Sequence, residues 1–160
     1  ELLKLAHDIA ELGIKIRYDL IIDNPYDTEE TLKETIDLLL KLPKPLRFNL
    51  YALQFFPNYP LTQKAIEDGH ITRQEASLDH LHKKIARNWA FVPRLFPLNM
   101  KQILHNMIWL IVHGRVEDGA VKEAVFNKAP GSKLKLTRLN LKAVFWGKIH
   151  TAKRRMQKRS

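Results

Sequence analysis

The chain has 160 residues, of which 45% are hydrophobic and 28% are charged, and it contains no cysteine. This composition is typical of a folded domain, and the lack of cysteine excludes disulfides, thiolate nucleophiles and cysteine-held zinc or iron–sulfur clusters within these residues. The net charge of +10 comes from residues 131–160, which hold ten basic and no acidic side chains, whereas residues 1–130 hold 17 of each sign.

Residues 1–70 alternate between helical and extended patterns. Apolar residues recur at helical steps in Leu2, Leu5, Ile9 and Leu12. They predict a helix that Gly13 ends. The period then falls to two over residues 14–23, which predicts a strand. A second helix is predicted to begin at an N-cap Asp27, with Glu30 completing a capping box, and to end before Pro43.

The alternating pattern returns over residues 46–55, and a short helix is predicted over 61–68 with Gly69 at its end. An order of helix, strand, helix, strand and helix with short connections is typical of a parallel sheet or a (β/α) barrel. Because a complete barrel takes ~250 residues, residues 1–70 are predicted to be the C-terminal part of a partial TIM-like barrel within a longer protein. The predicted fold class is therefore α/β, with a mainly α-helical tail.

The tail is predicted to have two parts. Residues 71–130 form a helical extension with helices over 72–90, 98–112 and 116–126, and residues 129–132 resemble a linker. Residues 131–160 form a basic amphipathic tail with a helix over 139–158. The most apolar stretch, 107–112, is far shorter than the ~20 residues that a membrane span needs.

Candidate site residues follow from the two predicted strands. If the apolar faces pack on helices, the opposite faces point polar side chains into the barrel lumen: Arg17, Asp19, Asp23, Arg47, Asn49 and Tyr51. Unpaired charges there would be unfavourable, so the pattern indicates either a bound ligand or internal ion pairs such as Arg17–Asp19, unless the two faces are reversed. Asn24, in the turn after the first strand, joins this substrate-facing set because ligands meet parallel sheets at their carboxyl ends.

Two segments carry a family resemblance. They are Tyr-Asp-Leu-Ile-Ile-Asp-Asn-Pro-Tyr-Asp-Thr-Glu-Glu-Thr-Leu at 18–32 and Asn-Leu-Tyr-Ala-Leu-Gln-Phe-Phe-Pro-Asn-Tyr-Pro-Leu at 49–61. Together they resemble the late barrel segment of radical S-adenosylmethionine enzymes, and most of all the branch with an amino-terminal cobalamin-binding domain. In that family one strand ends in a Gly-Leu-Pro-Gly-Glu-Thr-like turn and the next in a Phe-Pro-Gly-Thr-Pro-Leu-like turn.

The resemblance implies cofactor contacts for particular residues. The family's Gly-x-Ile-x-Gly strand falls on Asp19, Ile21 and Asp23, and its isoleucine packs on the adenine of S-adenosylmethionine. Both glycines are aspartate here, which implies that one of them meets substrate or the cofactor's ribose. The backbone at Leu53 and Gln54 would border the adenine. Asn58 replaces the glycine of the second turn, and asparagine tolerates a positive φ.

The resemblance also implies a [4Fe–4S] cluster and cobalamin, both bound by segments upstream of Glu1, because the family's Cys-x-x-x-Cys-x-x-Cys loop follows the first barrel strand. This chain alone is therefore predicted to be inactive. The implied reaction is radical methylation, cyclisation or rearrangement of a small-molecule or lipid-like substrate. Two alternatives stay open: a fragment of another (β/α)-barrel enzyme, and a non-catalytic helical module whose basic tail binds an anionic membrane surface or a partner.

In the predicted tail helix, Leu141, Val144, Phe145 and Ile149 share a face among basic residues. Such a helix suits peripheral contact with an anionic membrane through 131–160, or it packs on the rest of the domain. Nucleic acid is the least favoured target because no recognition motif accompanies the charge. No metal site is predicted, since no His-Glu-x-x-His run occurs. The expected location is cytoplasmic, with membrane association through the tail.

Overall fold

The computed structural model describes residues 1–77, 93, 99–127 and 131–157. These residues form two strands and six helices, in the order α1 (Leu2–Glu11), β1 (Tyr18–Ile22), α2 (Glu29–Lys41), β2 (Phe48–Ala52), α3 (Pro60–Glu67), α4 (Met100–Val112), α5 (Asp118–Phe126) and α6 (Ser132–Gln157). The chain is therefore α/β, with helix predominating. Of the helix predicted over 72–90, residues 72–77 form turns and the rest lies outside the described residues.

β1 and β2 pair in parallel, with Tyr18 opposite Phe48 and Ile22 opposite Ala52. A parallel pair needs a crossover connection, and α2 supplies it. The predicted alternation is confirmed by burial, because Ile22 and Leu50 are buried on one face of the sheet. This face packs with α2 into the hydrophobic core.

Both strands are shorter than predicted. In the case of β1, the segment that precedes the strand belongs to the end of α1. The N–H of Gly13 donates to Ala10, and the N–H of Ile14 donates to Ile9 across 3.3 Å. This is a Schellman motif with Gly13 in the left-handed region at φ +73°. The N–H of Ile14 is thereby used by the helix end and is not available to the sheet, whose pairing begins at Tyr18.

The predicted capping box of α2 is wrong by one residue. Thr28, not Asp27, is the N-cap, and its hydroxyl accepts from the Thr31 N–H while the Thr31 hydroxyl accepts from the Thr28 N–H. Threonine at both positions makes the same reciprocal bonds that Asp27 and Glu30 were predicted to make. Asp27 is thereby left in the loop between β1 and α2.

α4 is the centre of the helical part of the chain. Every residue from Gln102 to Val112 is buried, which a helix achieves only when it is covered on all sides. α2 packs against α4, α6 packs against both α4 and α5, and α5 touches α4. The predicted helix over 98–112 is confirmed, and the one over 139–158 begins seven residues earlier, at Ser132.

A ladder of buried amides joins α4 to α6. Asn106 Nδ2 donates to Asn140 Oδ1 across 2.6 Å, and Gln102 Nε2 donates to Asn106 Oδ1 across 3.1 Å. Asn106 and Asn140 are almost completely buried, so each amide needs its partner to offset lost hydration. The ladder therefore specifies how α6 sits on α4.

Candidate functional site

The outer face of the sheet, opposite the face that packs on α2, carries polar and apolar side chains in two rows. Asp19 lies opposite Asn49, and Asn49 Nδ2 donates to Asp19 Oδ1 across 2.7 Å. Ile21 lies opposite Tyr51 in the next row, and the Ile21 side chain is 61% exposed. The structure thus brings together four of the residues that the sequence assigned to a ligand-facing surface.

The carboxyl ends of both strands lead into turns with left-handed backbone. Asp23 follows β1 with φ +66°, and Asn58 lies in the turn before α3 with φ +67°. Non-glycine residues adopt this region infrequently, and Asp and Asn are the side chains most often found there. The expectation that Asn58 keeps a turn that would otherwise need glycine is confirmed.

Asn24, Leu53 and Gln54 lie at the same end of the sheet. Asn24 Oδ1 accepts from the Tyr26 N–H across 3.2 Å, so this side chain holds the turn. The Leu53 N–H donates to the Ile22 carbonyl across 2.8 Å and extends the pairing beyond β2. Gln54 Nε2 donates to the Ala52 carbonyl, while Gln54 Oε1 is buried and has no hydrogen-bond partner among the described residues.

Arg17 and Arg47 lie at the opposite end of the sheet. Arg17 directly precedes β1, and the Arg47 carbonyl accepts from the Tyr18 N–H. Arg47 lines a cleft there with Lys15. At ~3.3 Å a residue, the Arg17 backbone is roughly 20 Å from that of Asp23. The structure therefore does not bring the two arginines to the carboxyl ends of the strands, and no ion pair between Arg17 and Asp19 occurs in the described part of the chain.

A second cluster at the carboxyl end joins the β1–α2 loop to α3. The Tyr26 hydroxyl and Lys64 Nζ both donate to Asp68 Oδ2, across 2.8 and 2.9 Å. Lys64 Nζ also lies 5.6 Å from the centre of the Tyr26 ring, and the His70 ring meets the Tyr26 ring edge to face at 4.7 Å. The spacing of Lys64 and Asp68 on one helix face signals their pairing, whereas no local signal in the sequence indicates that Tyr26 joins them.

The cluster shifts the pKa values of Tyr26, Lys64 and Asp68. Hydrogen bonds from Lys64 and Tyr26 hold the pKa of Asp68 below its ordinary value. The same bond to Asp68 raises the pKa of Lys64. Partial loss of hydration raises the pKa of Tyr26, and the bond to Asp68 raises it further. The cluster is therefore a neutral tyrosine, a cation and an anion at neutral pH, and it ties the β1–α2 loop to the C-terminal end of α3.

The β1–α2 loop also faces the helical part of the chain. Asp27 Oδ2 lies 3.7 Å from Nε2 of His105, a side chain of α4 that is almost completely buried. The loop that contains the left-handed Asp23 is thus in contact with α4 as well as with α3 through Tyr26.

Comparison with family models, curated proteins and solved structures found no match to this chain. Within the described ranges, no three histidine, aspartate or glutamate side chains are placed to hold a metal ion. No described helix is both long enough and apolar enough to cross a membrane.

Proposed function

We propose that this chain forms the late part of the barrel of a radical S-adenosylmethionine enzyme, from the cobalamin-dependent branch, and that the outer sheet face lines its lumen. The observation that carries the proposal is the backbone at Asp23 and Asn58, at φ +66° and +67°. These are two positions at which the family pattern has glycine, and each keeps the left-handed geometry that glycine would supply.

The outer sheet face fits the adenosyl part of S-adenosylmethionine. The exposed Ile21 side chain offers an apolar surface on which an adenine can pack, and the Asp23 carboxylate lies at the strand end, where it can accept hydrogen bonds from ribose hydroxyls. The Leu53 backbone and the buried Gln54 Oε1 border the same end of the sheet. The proposal assigns cofactor binding to these four residues. It places Asp19, Asn49 and Tyr51 on the side of the lumen that faces the substrate.

No residue of this chain fits an iron–sulfur cluster, because the chain has no cysteine. The proposal therefore assigns the cluster and the cobalamin to other residues of a longer protein. When bound at such a cluster, S-adenosylmethionine supplies a carbon radical for methylation, cyclisation or rearrangement. This chain's residues then bind the adenosyl group and exclude water from it. Arg17 and Arg47 belong to the opposite end of the lumen, where a small-molecule or lipid-like substrate with an anionic group would meet them.

The test substitutes Ile21 in the complete enzyme. Ile21→Asp places a carboxylate against the adenine, so we expect S-adenosylmethionine affinity to fall about tenfold or more in equilibrium dialysis. Ile14→Asp is the matched control, since Ile14 is 57% exposed and lies before β1 at the other end of the sheet. We expect the control to bind the cofactor like the parent protein.

If the Ile21→Asp variant binds S-adenosylmethionine as tightly as the parent protein, Ile21 does not contact the adenine. The wider proposal also requires the complete coding sequence to contain Cys-x-x-x-Cys-x-x-Cys upstream of these residues. If that sequence lacks the motif and the complete protein does not bind S-adenosylmethionine, the proposal fails, and the chain is either part of another (β/α)-barrel enzyme or a non-catalytic helical module.

A further inference from the structure

α6 has two opposite faces, and the first of them packs on the protein. Leu136, Asn140 and Ala143 are buried against α4 and α5. Val144 is buried as well. The sequence grouped Val144 with Phe145 on one apolar face, but the structure separates them, because Val144 faces the core and Phe145 faces solvent.

The second face is an exposed row that runs along α6. Its members recur at steps of three and four residues and are all exposed: Leu134, Arg138, Leu141, Phe145, Lys148, Ala152 and Met156. At 3.6 residues a turn these positions fall within an arc of roughly 80°, and at 1.5 Å a residue they extend over about 33 Å. We call this row the outer stripe of α6.

The outer stripe is more apolar than an exposed helix face needs to be. Leu134, Leu141, Phe145 and Met156 are 57, 53, 61 and 64% exposed. Single exposed apolar residues are ordinary, whereas an aligned series marks a surface that contacts something else. Leu141 and Phe145 are four residues apart and form the middle of the stripe.

Basic side chains accompany the stripe along its length. Arg138 and Lys148 lie within it, and Lys142 and Lys153 lie on one flank; all four are exposed. Lys135, on the same flank, pairs with Glu123 of α5. Because residues 131–160 contain no acidic side chain, α6 itself offers no carboxylate to compete for these cations.

We propose that the outer stripe of α6 binds the surface of an anionic lipid membrane. A helix that presents an exposed row of apolar side chains flanked by lysines and arginines can lie in the interface, with the apolar side chains among the acyl chains and the basic side chains reaching the headgroups. The packed face keeps the body of the protein above the surface. Nucleic acid would use the cations but leave Leu141 and Phe145 exposed, so lipid explains both features. The inference rests on α6 alone and does not depend on the proposed function.

Vesicle co-sedimentation of the whole chain tests this. Vesicles of phosphatidylcholine alone are compared with vesicles that also contain phosphatidylglycerol. We expect binding to the anionic vesicles, weakened by added salt. Leu141→Ser/Phe145→Ser removes the apolar part of the stripe, and Lys142→Gln/Lys148→Gln removes two charges. We expect each double variant to lower partitioning about tenfold or more. All four side chains are exposed, so circular dichroism should show an unchanged fold.

The matched control is Leu2→Ser/Leu5→Ser on α1, which removes two leucines that are each 54% exposed but lie outside the basic segment. We expect this variant to bind vesicles like the parent chain. The proposal is overturned if the chain does not sediment with anionic vesicles, if the control loses as much binding as the α6 variants, or if the two α6 variants bind normally. It is also overturned if the stripe instead mediates self-association, or oligonucleotide binding that survives Leu141→Ser/Phe145→Ser.

Discussion

Asp68 is the residue on which donors from two separate elements converge. Tyr26 comes from the β1–α2 loop and Lys64 from α3, and both bond to the same carboxylate oxygen. A carboxylate that accepts two hydrogen bonds, one of them from a cation, is stabilised in its charged form. The geometry therefore accounts for the lowered pKa of Asp68 and links the β1–α2 loop to the C-terminal end of α3 through one side chain.

Removing the Tyr26 hydroxyl should raise the pKa of Asp68 towards its ordinary value. We expect this in Tyr26→Phe, measured by carbon-detected NMR titration of the Asp68 carboxyl. Because the pKa of Asp68 is lowered on folding, its contribution to stability is complete above about pH 4 and is lost as the pH falls through the folded-state value. A smaller pKa shift means a smaller contribution, so Tyr26→Phe should lose less stability on acidification.

Tyr59→Phe is the control for that titration. Tyr59 is exposed at the start of α3, and the described hydrogen bonds of Asp68 do not involve its hydroxyl. Its substitution should leave the Asp68 titration unchanged. An unchanged pKa in both variants would show that the Tyr26 hydroxyl does not contribute to the lowered pKa of Asp68.

At the residue scale, sequence reasoning succeeds where the signal is local. The left-handed turn at Asn58 could be predicted because the side chain itself tolerates that backbone. The pairing of Lys64 with Asp68 could have been found from its helical spacing. The bond from Tyr26 to Asp68 joins residues 42 positions apart, and only the folded chain determines that approach.

At the scale of elements, α6 depends on a close contact at Gly147. A Cβ atom placed on Gly147 would lie 2.8 Å from Cδ of Pro93. A proline ring is rigid and gives way little, so only glycine lets the helix and Pro93 approach this closely. Gly119 in α5 differs, because a Cβ atom there would meet nothing within 4 Å.

The two glycines should respond in opposite directions to alanine. Gly147→Ala gains ~1 kcal/mol in helix propensity but overpacks Pro93 at a cost of ~1–3 kcal/mol, so we expect net destabilisation of up to about 2 kcal/mol. Gly119→Ala gains propensity alone, and because Gly119 lies in the first turn of α5 we expect it to stabilise by roughly a few tenths of a kcal/mol. Equilibrium urea unfolding measures both. Equal stabilisation by the two substitutions would contradict the close contact.

The sequence located most elements but misjudged α6, for a physical reason. Its core face includes Asn140 and Gly147, which an apolar pattern does not count, and its solvent face includes Leu141 and Phe145, which the pattern does count. A helix with a polar residue in its core face and apolar residues outside cannot be oriented without knowing its neighbours.

At the scale of the whole molecule, the described residues of the helical part are much more deeply buried than those on the outer face of the sheet. α4 is enclosed by α2, α5 and α6, whereas the outer sheet face leaves Ile21 exposed. Parallel sheets are ordinarily covered on both faces, and two strands alone are marginally stable. The barrel proposal would explain the uncovered face of the sheet, since further strands and a bound ligand would cover it.

In the isolated chain, amide hydrogen exchange should be much slower in α4 than in the sheet. The Ile108 amide lies in the middle of α4 and should exchange only on global unfolding, whereas the Leu53 amide, bonded to the Ile22 carbonyl, should open with the sheet. Since each 1.4 kcal/mol of opening free energy is a factor of ten in protection, we expect Ile108 to exceed Leu53 by about a hundredfold or more. Low concentrations of denaturant should strongly accelerate amide exchange at Ile108 and should change exchange at Leu53 little. Equal protection and equal denaturant dependence would mean that the sheet unfolds together with α4, and the open face would then need no additional strands for its stability.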